Sequence, residues 1–156
     1  MEILKVTDAH DKAQIVTEVL ADLPEWFGLP DATQSYIEEA RELPLWVAMH
    51  EGDDVGFVTL KETSSSTAEI HCMGVKKAFH RQGIGKALHQ KMEKSIKDEY
   101  KFLQVKTVDA GHYEEYDLTI KFYESVGFER FEVFPTLWDE WNPCLVMVKY
   151  IGEVTG

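Results

Sequence analysis

Two glycines stand close together at the start of an amphipathic segment, in the sequence His80 to Leu88, HRQGIGKAL. The first backbone N–H groups of a helix have no partner within it, and they form a ready site for a phosphate or pyrophosphate. Because Gly83 and Gly85 have no Cβ atom, the backbone can turn sharply there and approach such an anion closely. This spacing therefore predicts a loop that holds a phosphate-bearing cofactor.

Two common phosphate-binding loops fit this segment poorly. A P-loop, GxxxxGK[ST], differs because His80 stands in place of its first glycine and Ala87 in place of the hydroxyl residue that binds Mg²⁺. A dinucleotide-binding loop, GxGxxG, differs because Leu88 replaces its third glycine and because the segment lies in the middle of the chain. Nucleotide hydrolysis and dinucleotide chemistry are therefore disfavoured.

A third kind of loop fits better. The segment HRQGIG, residues 80–85, resembles the acyl-CoA loop R/Q-x-x-G-x-G/A of the GNAT superfamily of N-acetyltransferases, with His80 where the family usually has Arg or Gln. A strand-like segment, AEIHCMGV, precedes it at residues 68–75, and IKFYESVGF at residues 120–128 matches a family helix that ends in Tyr-x-x-x-Gly-Phe. The resemblance implies acetyl-CoA as cosubstrate and a single-domain α/β GNAT-like fold over residues 1–156.

The hydrophobic pattern predicts the elements that position these motifs. Strands are expected at residues 1–6, 45–49, 55–60, 68–75, 102–108, 128–134 and 145–151. One helix follows Gly83, and three others are expected from the cap Asp8 to Leu20, over residues 32–40 with Asp31 as the cap, and from the cap Asp117 to Val126. Because turns at residues 52–54 and 63–66 indicate hairpins, we expect a mixed, mostly antiparallel sheet flanked by helices.

The resemblance assigns cofactor contacts to three places. The pyrophosphate is expected at Arg81, Gln82, Gly83, Ile84, Gly85, Lys86 and Ala87. Met73, Gly74 and Val75 are expected to pair with the pantetheine arm and to polarise the thioester carbonyl, although Gly74 could instead simply relieve crowding at the end of its strand. Tyr116 stands where family members often carry a cofactor-binding Asn, and it could contact the cofactor or pack at a helix terminus.

Acetyl transfer to an amine needs a proton acceptor and a donor for the leaving sulfur. An alkyl ammonium group has a pKa of about 10.4, so a base is useful at neutral pH. Glu69 lies where some family members place a base glutamate, with His71 and a water chain as alternatives. Tyr123 matches the family's general acid, and a predicted core stripe of Leu118, Phe122 and Val126 leaves it to one side. The competing interpretations are a solvated carboxylate and a core tyrosine.

Aromatic and acidic residues occur together in two predicted loops, LPEWFGLP at residues 23–30 and FPTLWDEWNP at residues 134–143. Tryptophan faces and carboxylates suit a cationic amine, and the resemblance implies that both segments shape the acceptor pocket. The net charge of -12 attracts cations, but the favoured interpretation is that this charge simply keeps the protein soluble. The tryptophans could equally fill the core or an interface, and the resemblance is compatible with a homodimer. His112, Glu114 and Glu115 could add to the same rim or belong to a solvated loop.

Composition excludes several other classes of protein. The 156 residues suit one domain, and 44% hydrophobic residues exclude a disordered chain. The acidic balance disfavours nucleic-acid binding, and there is neither an apolar run of membrane-spanning length nor a signal-peptide pattern. Cys72 and Cys144 form no disulfide framework, and no CxxC or HExxH motif predicts a metal site. We therefore expect a cytoplasmic protein without a metal.

The leading prediction is an enzyme that moves the acetyl group of acetyl-CoA to a primary amine of a small molecule by direct attack. One alternative is a non-catalytic acyl-CoA-binding module that acts as a sensor or regulator. Another is an acetyltransferase that acts on proteins or peptides. The sequence does not identify the acceptor amine.

Overall fold

A computed structural model describes residues 1–152 of the chain. Its strands are β1 (Glu2–Val6), β2 (Leu45–His50), β3 (Asp53–Glu62), β4 (Thr67–Val75), β5 (Phe102–Val108), β6 (Glu129–Asp139) and β7 (Asn142–Tyr150). Its helices are α1 (Ala9–Ala21), α2 (Pro30–Ala40), α3 (Ile84–Ile96) and α4 (Glu114–Ser125), and a short 3-10 helix (Lys77–Phe79) precedes α3.

The strands form one seven-stranded sheet in the order β1-β2-β3-β4-β5-β7-β6. The pair β4 and β5 is parallel, with Glu69 opposite Gln104. The pairs β1–β2, β2–β3, β5–β7 and β6–β7 are antiparallel. The expected α/β fold with a mixed, mostly antiparallel sheet and flanking helices is therefore confirmed.

The chain divides into two compact units. The first contains residues 1–61 and 71–96, and the second contains residues 62–70 and the chain from residue 97 onward. Strand β4 begins in the second unit and ends in the first. Residues 153–156 lie outside the described part, and a single domain over residues 1–156 stays a prediction.

The first unit is built on the apolar face of α1. Asp8 caps this helix as predicted, because its carboxylate accepts a hydrogen bond of 2.9 Å from the Asp11 N–H. The buried cluster beneath it consists of Ile15, Val16, Val19, Leu20, Leu23, Ala40, Leu45, Val47, Phe57 and Cys72. Burial of this apolar surface holds α1, α2 and the strands of this unit together.

The second unit has α4 as its helix, and two predictions about that helix are wrong. It begins at Glu114 with Tyr113 as its cap, and Asp117 lies inside it, accepting a hydrogen bond of 2.9 Å from the Gly111 N–H. The predicted core stripe is wrong in part. Val126 is buried as predicted, but Leu118 is exposed, and Ile120 and Tyr123 are buried instead. Gly127 follows the helix with a φ of +102°, as predicted for a C-terminal glycine.

Other boundaries also differ from the prediction. Helix α2 begins at Pro30 and not after a cap at Asp31, because proline is favoured in the first turn, where its missing N–H costs nothing. Strand β6 extends five residues beyond Phe134, to Asp139. The predicted loop at residues 134–143 is therefore mostly strand, and Trp138 and Asp139 belong to β6.

Candidate active site

The glycine-rich segment forms a tight turn at the start of α3. Arg81 and Gly83 have φ values of +63° and +79°, which is left-handed backbone. Helix α3 begins at Ile84, and the Ala87 N–H donates to the Gly83 carbonyl at 3.0 Å. The N–H groups of Ile84, Gly85 and Lys86 precede this first helical bond. They form the start of a helix that can receive an anion, whereas the Ala87 N–H is already used.

The backbone before this turn is anchored by bonds within the first unit. The Lys76 N–H donates to the Val55 carbonyl at 2.8 Å, and the Lys77 N–H donates to the Asp22 carboxylate at 2.7 Å. The Lys77 ammonium also binds the Glu25 carboxylate at 2.8 Å, which lowers the pKa of Glu25 and raises that of Lys77. Glu25, predicted to shape the acceptor pocket, is engaged in this anchor.

His80 and Trp26 also meet at this turn. Their rings make an edge contact with centroids 5.9 Å apart. The His80 Nε2 donates to the carbonyl of Val75, at the end of β4. The residue at the unusual first position of the loop therefore joins the end of β4 to the segment between α1 and α2.

Packing at the end of β4 explains why residue 74 is a glycine. A Cβ atom at Gly74 would lie 3.0 Å from Leu23 Cδ1 and 3.3 Å from Val19 Cγ1. The close neighbours are therefore side chains at α1 and just after it, which supports the crowding interpretation of Gly74. Met73 and Val75 are half-buried on either side of it.

Glu69 is a buried carboxylate on β4, with a side chain that belongs to the second unit. The residue is 9% exposed, so the interpretation as a solvated carboxylate is wrong. Its Oε1 atom accepts a hydrogen bond from Gln104 Nε2 at 2.9 Å and lies 3.2 Å from Lys106 Nζ. Both donors come from β5 and reach the same oxygen. These two contacts fix the position of the carboxylate through its Oε1 atom.

Tyr123 lies in the core of the second unit. It is 6% exposed, and its ring makes edge contacts with Phe122 and Phe128 at centroid distances of 5.3 Å and 5.5 Å. Tyr116, one helical turn before Ile120, packs edge-on against Tyr113 at 5.9 Å. Burial raises the pKa of the Tyr116 phenol, so this group is a hydrogen-bond donor at neutral pH.

A second carboxylate lies beside β4 in the first unit and was not predicted. The imidazole Nε2 of His71 hydrogen-bonds the Glu39 carboxylate of α2. Glu39, Gln104 and Lys106 have no sequence signal of their own, because each is placed by the packing of a distant element. His71, in contrast, was recognised from its strand position.

The tryptophan-rich segment of the second unit is a strand and a tight turn. The Asp139 carboxylate accepts hydrogen bonds from the Trp141 and Asn142 N–H groups at 2.8 Å and 2.9 Å. The Asn142 side chain also donates to it and lowers the pKa of Asp139. Asp139 shapes the β6–β7 turn. This structural role accounts for a carboxylate here and competes with the prediction that Asp139 lines an acceptor pocket.

The remaining observations concern metals, thiols and membranes. Among the described residues, no three His, Cys, Asp or Glu side chains come together as a metal site would require. Cys72 and Cys144 are free and buried, and burial raises the pKa of both thiols. Between residues 1 and 152, none of the helices combines the length and apolar character needed to cross a lipid bilayer.

A family model described as an acetyltransferase (GNAT) domain matches residues 41–130, which is more than half of the chain. The chain belongs to the GNAT acetyltransferase family. The resemblance found in the sequence is thereby confirmed. This GNAT acetyltransferase uses acetyl-CoA as its cosubstrate. No curated protein sequence matches it.

Solved structures share the fold of this GNAT acetyltransferase at low sequence identity. A GNAT-family protein from Desulfovibrio desulfuricans is 18% identical with a TM-score of 0.80, covering 96% of this chain and 98% of that one. An aminoglycoside 6'-N-acetyltransferase complexed with coenzyme A is 19% identical with a TM-score of 0.77, covering 100% of both chains. The ribosomal-protein-S18-alanine N-acetyltransferase from Escherichia coli is 14% identical with a TM-score of 0.75, covering 98% of this chain and 96% of that one.

Replacing Gly83 by Ala tests the predicted cofactor loop. Gly83 and Gly52 both have positive φ, and a Cβ atom at either would meet nothing within 4 Å, so the two substitutions differ only in position. We expect each to lower the free energy of unfolding by about 1–2 kcal/mol through left-handed strain. Only Gly83→Ala should weaken acetyl-CoA binding, by about tenfold in calorimetry. Equal dissociation constants for the two variants would contradict the loop assignment.

Proposed function

We propose that this GNAT acetyltransferase moves the acetyl group of acetyl-CoA to a primary amine of a small molecule by direct attack. The observation that supports this best is the Glu69 carboxylate, buried and held through one oxygen by Gln104 and Lys106. Burying a charged group is costly, and proteins retain such groups where they are paired or perform chemistry. A fixed carboxylate is suited to accept the proton of an attacking amine.

The cofactor is proposed to bind along the segments that the family resemblance marks. The N–H groups from Arg81 to Lys86 receive the pyrophosphate, because the start of α3 offers unbonded donors and the local turn is left-handed. Ala87 does not offer its N–H to the pyrophosphate, because this group donates to the Gly83 carbonyl. Ala87 therefore contributes to the site only as a residue with a small side chain. Met73, Gly74 and Val75 pair with the pantetheine arm, and Tyr116 offers a phenol donor to the cofactor.

The reaction then needs two proton movements. The amine nitrogen attacks the thioester carbonyl carbon and loses a proton to Glu69 through intervening water, because Glu69 lies roughly 13 Å along β4 from Met73. A backbone N–H of the Met73–Val75 segment stabilises the developing oxyanion. The bond between the carbonyl carbon and sulfur breaks, and the Tyr123 phenol donates its proton to the departing thiolate. Holding both reactants in one site removes much of the entropic cost of their encounter.

The proposed acceptor is a cationic small molecule. The net charge of -12 raises the local concentration of ammonium groups near the protein. Fold similarity does not choose the acceptor, because the same fold is found in an aminoglycoside acetyltransferase and in an acetyltransferase of a ribosomal protein. Free, buried cysteines are typical of proteins in a reducing compartment, which supports a cytoplasmic location.

Substitution of Glu69 by Gln, assayed on a panel of amines, tests this function. Thiol release from acetyl-CoA and mass spectrometry of the products are followed with small amines and with peptides. We expect acetylated small amines, and a fall in kcat of about 100-fold for Glu69→Gln because the proton acceptor is lost. Glu51→Gln removes the charge of a highly exposed carboxylate between β2 and β3 and should leave kcat unchanged.

Other outcomes of the panel would contradict the proposal. Saturable binding of acetyl-CoA without turnover on any acceptor would favour a sensor. Acetylated peptides with unmodified small amines would favour an acetyltransferase of proteins.

Tyr123→Phe tests the proposed general acid. The substitution keeps the ring that packs between Phe122 and Phe128 and removes only the hydroxyl group. We expect kcat to fall by about 100-fold while thermal stability changes little, because proton donation is lost and packing is kept. Tyr150→Phe, at an exposed tyrosine, serves as the control. Unchanged turnover for Tyr123→Phe would assign Tyr123 to the core alone.

We also propose a homodimer formed by the β6–β7 hairpin of each copy. Strand β6 is exposed along its whole length, including Phe131 at 64%, and Trp141 in the following turn is 73% exposed. With Leu137 and Trp138, these side chains expose roughly 500 Å² of apolar surface, which is more than half of what each partner buries in a typical stable interface. A symmetric pair would cover this surface on both copies at once.

The mass in solution tests the homodimer. We expect light scattering to give twice the chain mass of 17.9 kDa at micromolar concentration. The double variant Phe131→Lys with Trp141→Lys should be monomeric, because it places charges in the proposed interface. Leu29→Lys, which changes an equally exposed side chain in the first unit, should remain dimeric. A monomeric natural chain would rule out this interface.

A further inference from the structure

The pair formed by Glu39 and His71 has no part in the chemistry described above. His71 lies on β4, two residues before Met73, and its side chain is 14% exposed. Glu39 lies in the last turn of α2, and its side chain is 50% exposed. The Glu39 carboxylate bonds the imidazole through Oε2, and half of the surface of its side chain is exposed. The pair therefore combines a fixed imidazole with a carboxylate that solvent can reach.

One aromatic ring contacts this pair within the first unit, and a second ring packs against the first. The Tyr36 ring meets the His71 ring edge-on at a centroid distance of 5.4 Å, and the Phe27 ring meets the Tyr36 ring edge-on at 5.8 Å. Aromatic rings attract ammonium groups through their faces, and the neighbouring carboxylate supplies an opposite charge. Carboxylate, imidazole and rings together form the surroundings that a cationic group prefers.

The position of the pair along β4 relates it to the acetyl group. Residues in a strand rise by about 3.3 Å, so His71 lies roughly 7 Å along the strand from Met73, where the proposed thioester contact is made. An ammonium group bound at Glu39 cannot be the nitrogen that attacks at Met73. It can belong to the same small molecule if two amino groups are separated by a short carbon chain.

We propose that Glu39 and His71 bind a second ammonium group of the acceptor, so that the substrates are small molecules with at least two amino groups. This inference rests on the proposed function and names its substrate class. The Glu39 carboxylate supplies one formal negative charge, which matches one ammonium group. Glu39 contacts the ammonium group, and His71 orients the Glu39 carboxylate.

The experiment compares 1,4-diaminobutane with 1-aminobutane, which has the same carbon chain and one amino group. Initial rates of thiol release from acetyl-CoA give kcat and KM for each amine. We expect kcat/KM to be at least tenfold higher for the diamine. Glu39→Gln should raise KM for the diamine by about tenfold, change its kcat little, and leave both constants for the monoamine unchanged. Glu39→Asp, which keeps the charge, should recover part of the diamine preference.

Glu42→Gln is the matched control, because it removes the same charge from an exposed position three residues away. Equal effects of the two Gln variants would overturn the proposal, since they would show general attraction by the acidic protein. Equal effects of Glu39→Gln on the diamine and the monoamine would also overturn it, since they would show that the pair only connects α2 to β4.

The inference can fail separately from the proposed function. If monoamines are acetylated as readily as diamines, the function stands and this site does not. If no amine is acetylated, calorimetry of 1,4-diaminobutane with the natural chain and Glu39→Gln decides. Binding that is lost in Glu39→Gln supports the site, and binding that is equal or absent in both overturns it.

Discussion

The organisation of this acetyltransferase depends on the backbone between the end of β4 and the start of α3. A helix leaves its first N–H groups without partners, and their use depends on where the helix begins. Here the start is fixed by backbone bonds from Lys76 to Val55 and from Lys77 to Asp22, followed by left-handed residues at Arg81 and Gly83. The proposed anion site thus depends on main-chain geometry, and the side chains around it mainly hold that geometry in place.

Three lysines of this acidic chain form ion pairs beside segments that have a proposed role in the chemistry. These ion pairs help to hold the segments in fixed positions. Lys76 binds Glu18 at 2.7 Å and Lys77 binds Glu25 at 2.8 Å, both next to the proposed cofactor loop. Lys106 lies 3.2 Å from Glu69. Exposed ion pairs contribute little to stability, so the first two act mainly by orienting the backbone. The third lies against a buried carboxylate, where pairing compensates the cost of removing the charge from water.

The sequence predicted those parts of the fold and site that depend on local chemistry. Strand β4, the loop and α3 follow from an apolar run, two glycines and an amphipathic stripe, and the Asp8 cap follows from one side chain. The start of α4 and the end of β6 were wrong, because Asp117 bonds a neighbouring loop and the β6–β7 register extends the strand. Gln104, Lys106 and Glu39 could not be found, since each meets its partner through pairing or packing of distant segments.

The two cysteines bear on how such an enzyme tolerates its own product. Transfer of the acetyl group releases coenzyme A, a free thiol that oxidises to disulfides. Exchange with a disulfide requires an accessible thiolate on the protein. Cys72 and Cys144 are buried, and burial raises the pKa of each, so neither offers one. Oxidised coenzyme thus has no site of attachment at these positions, and the folded enzyme is protected from inactivation by mixed disulfides there.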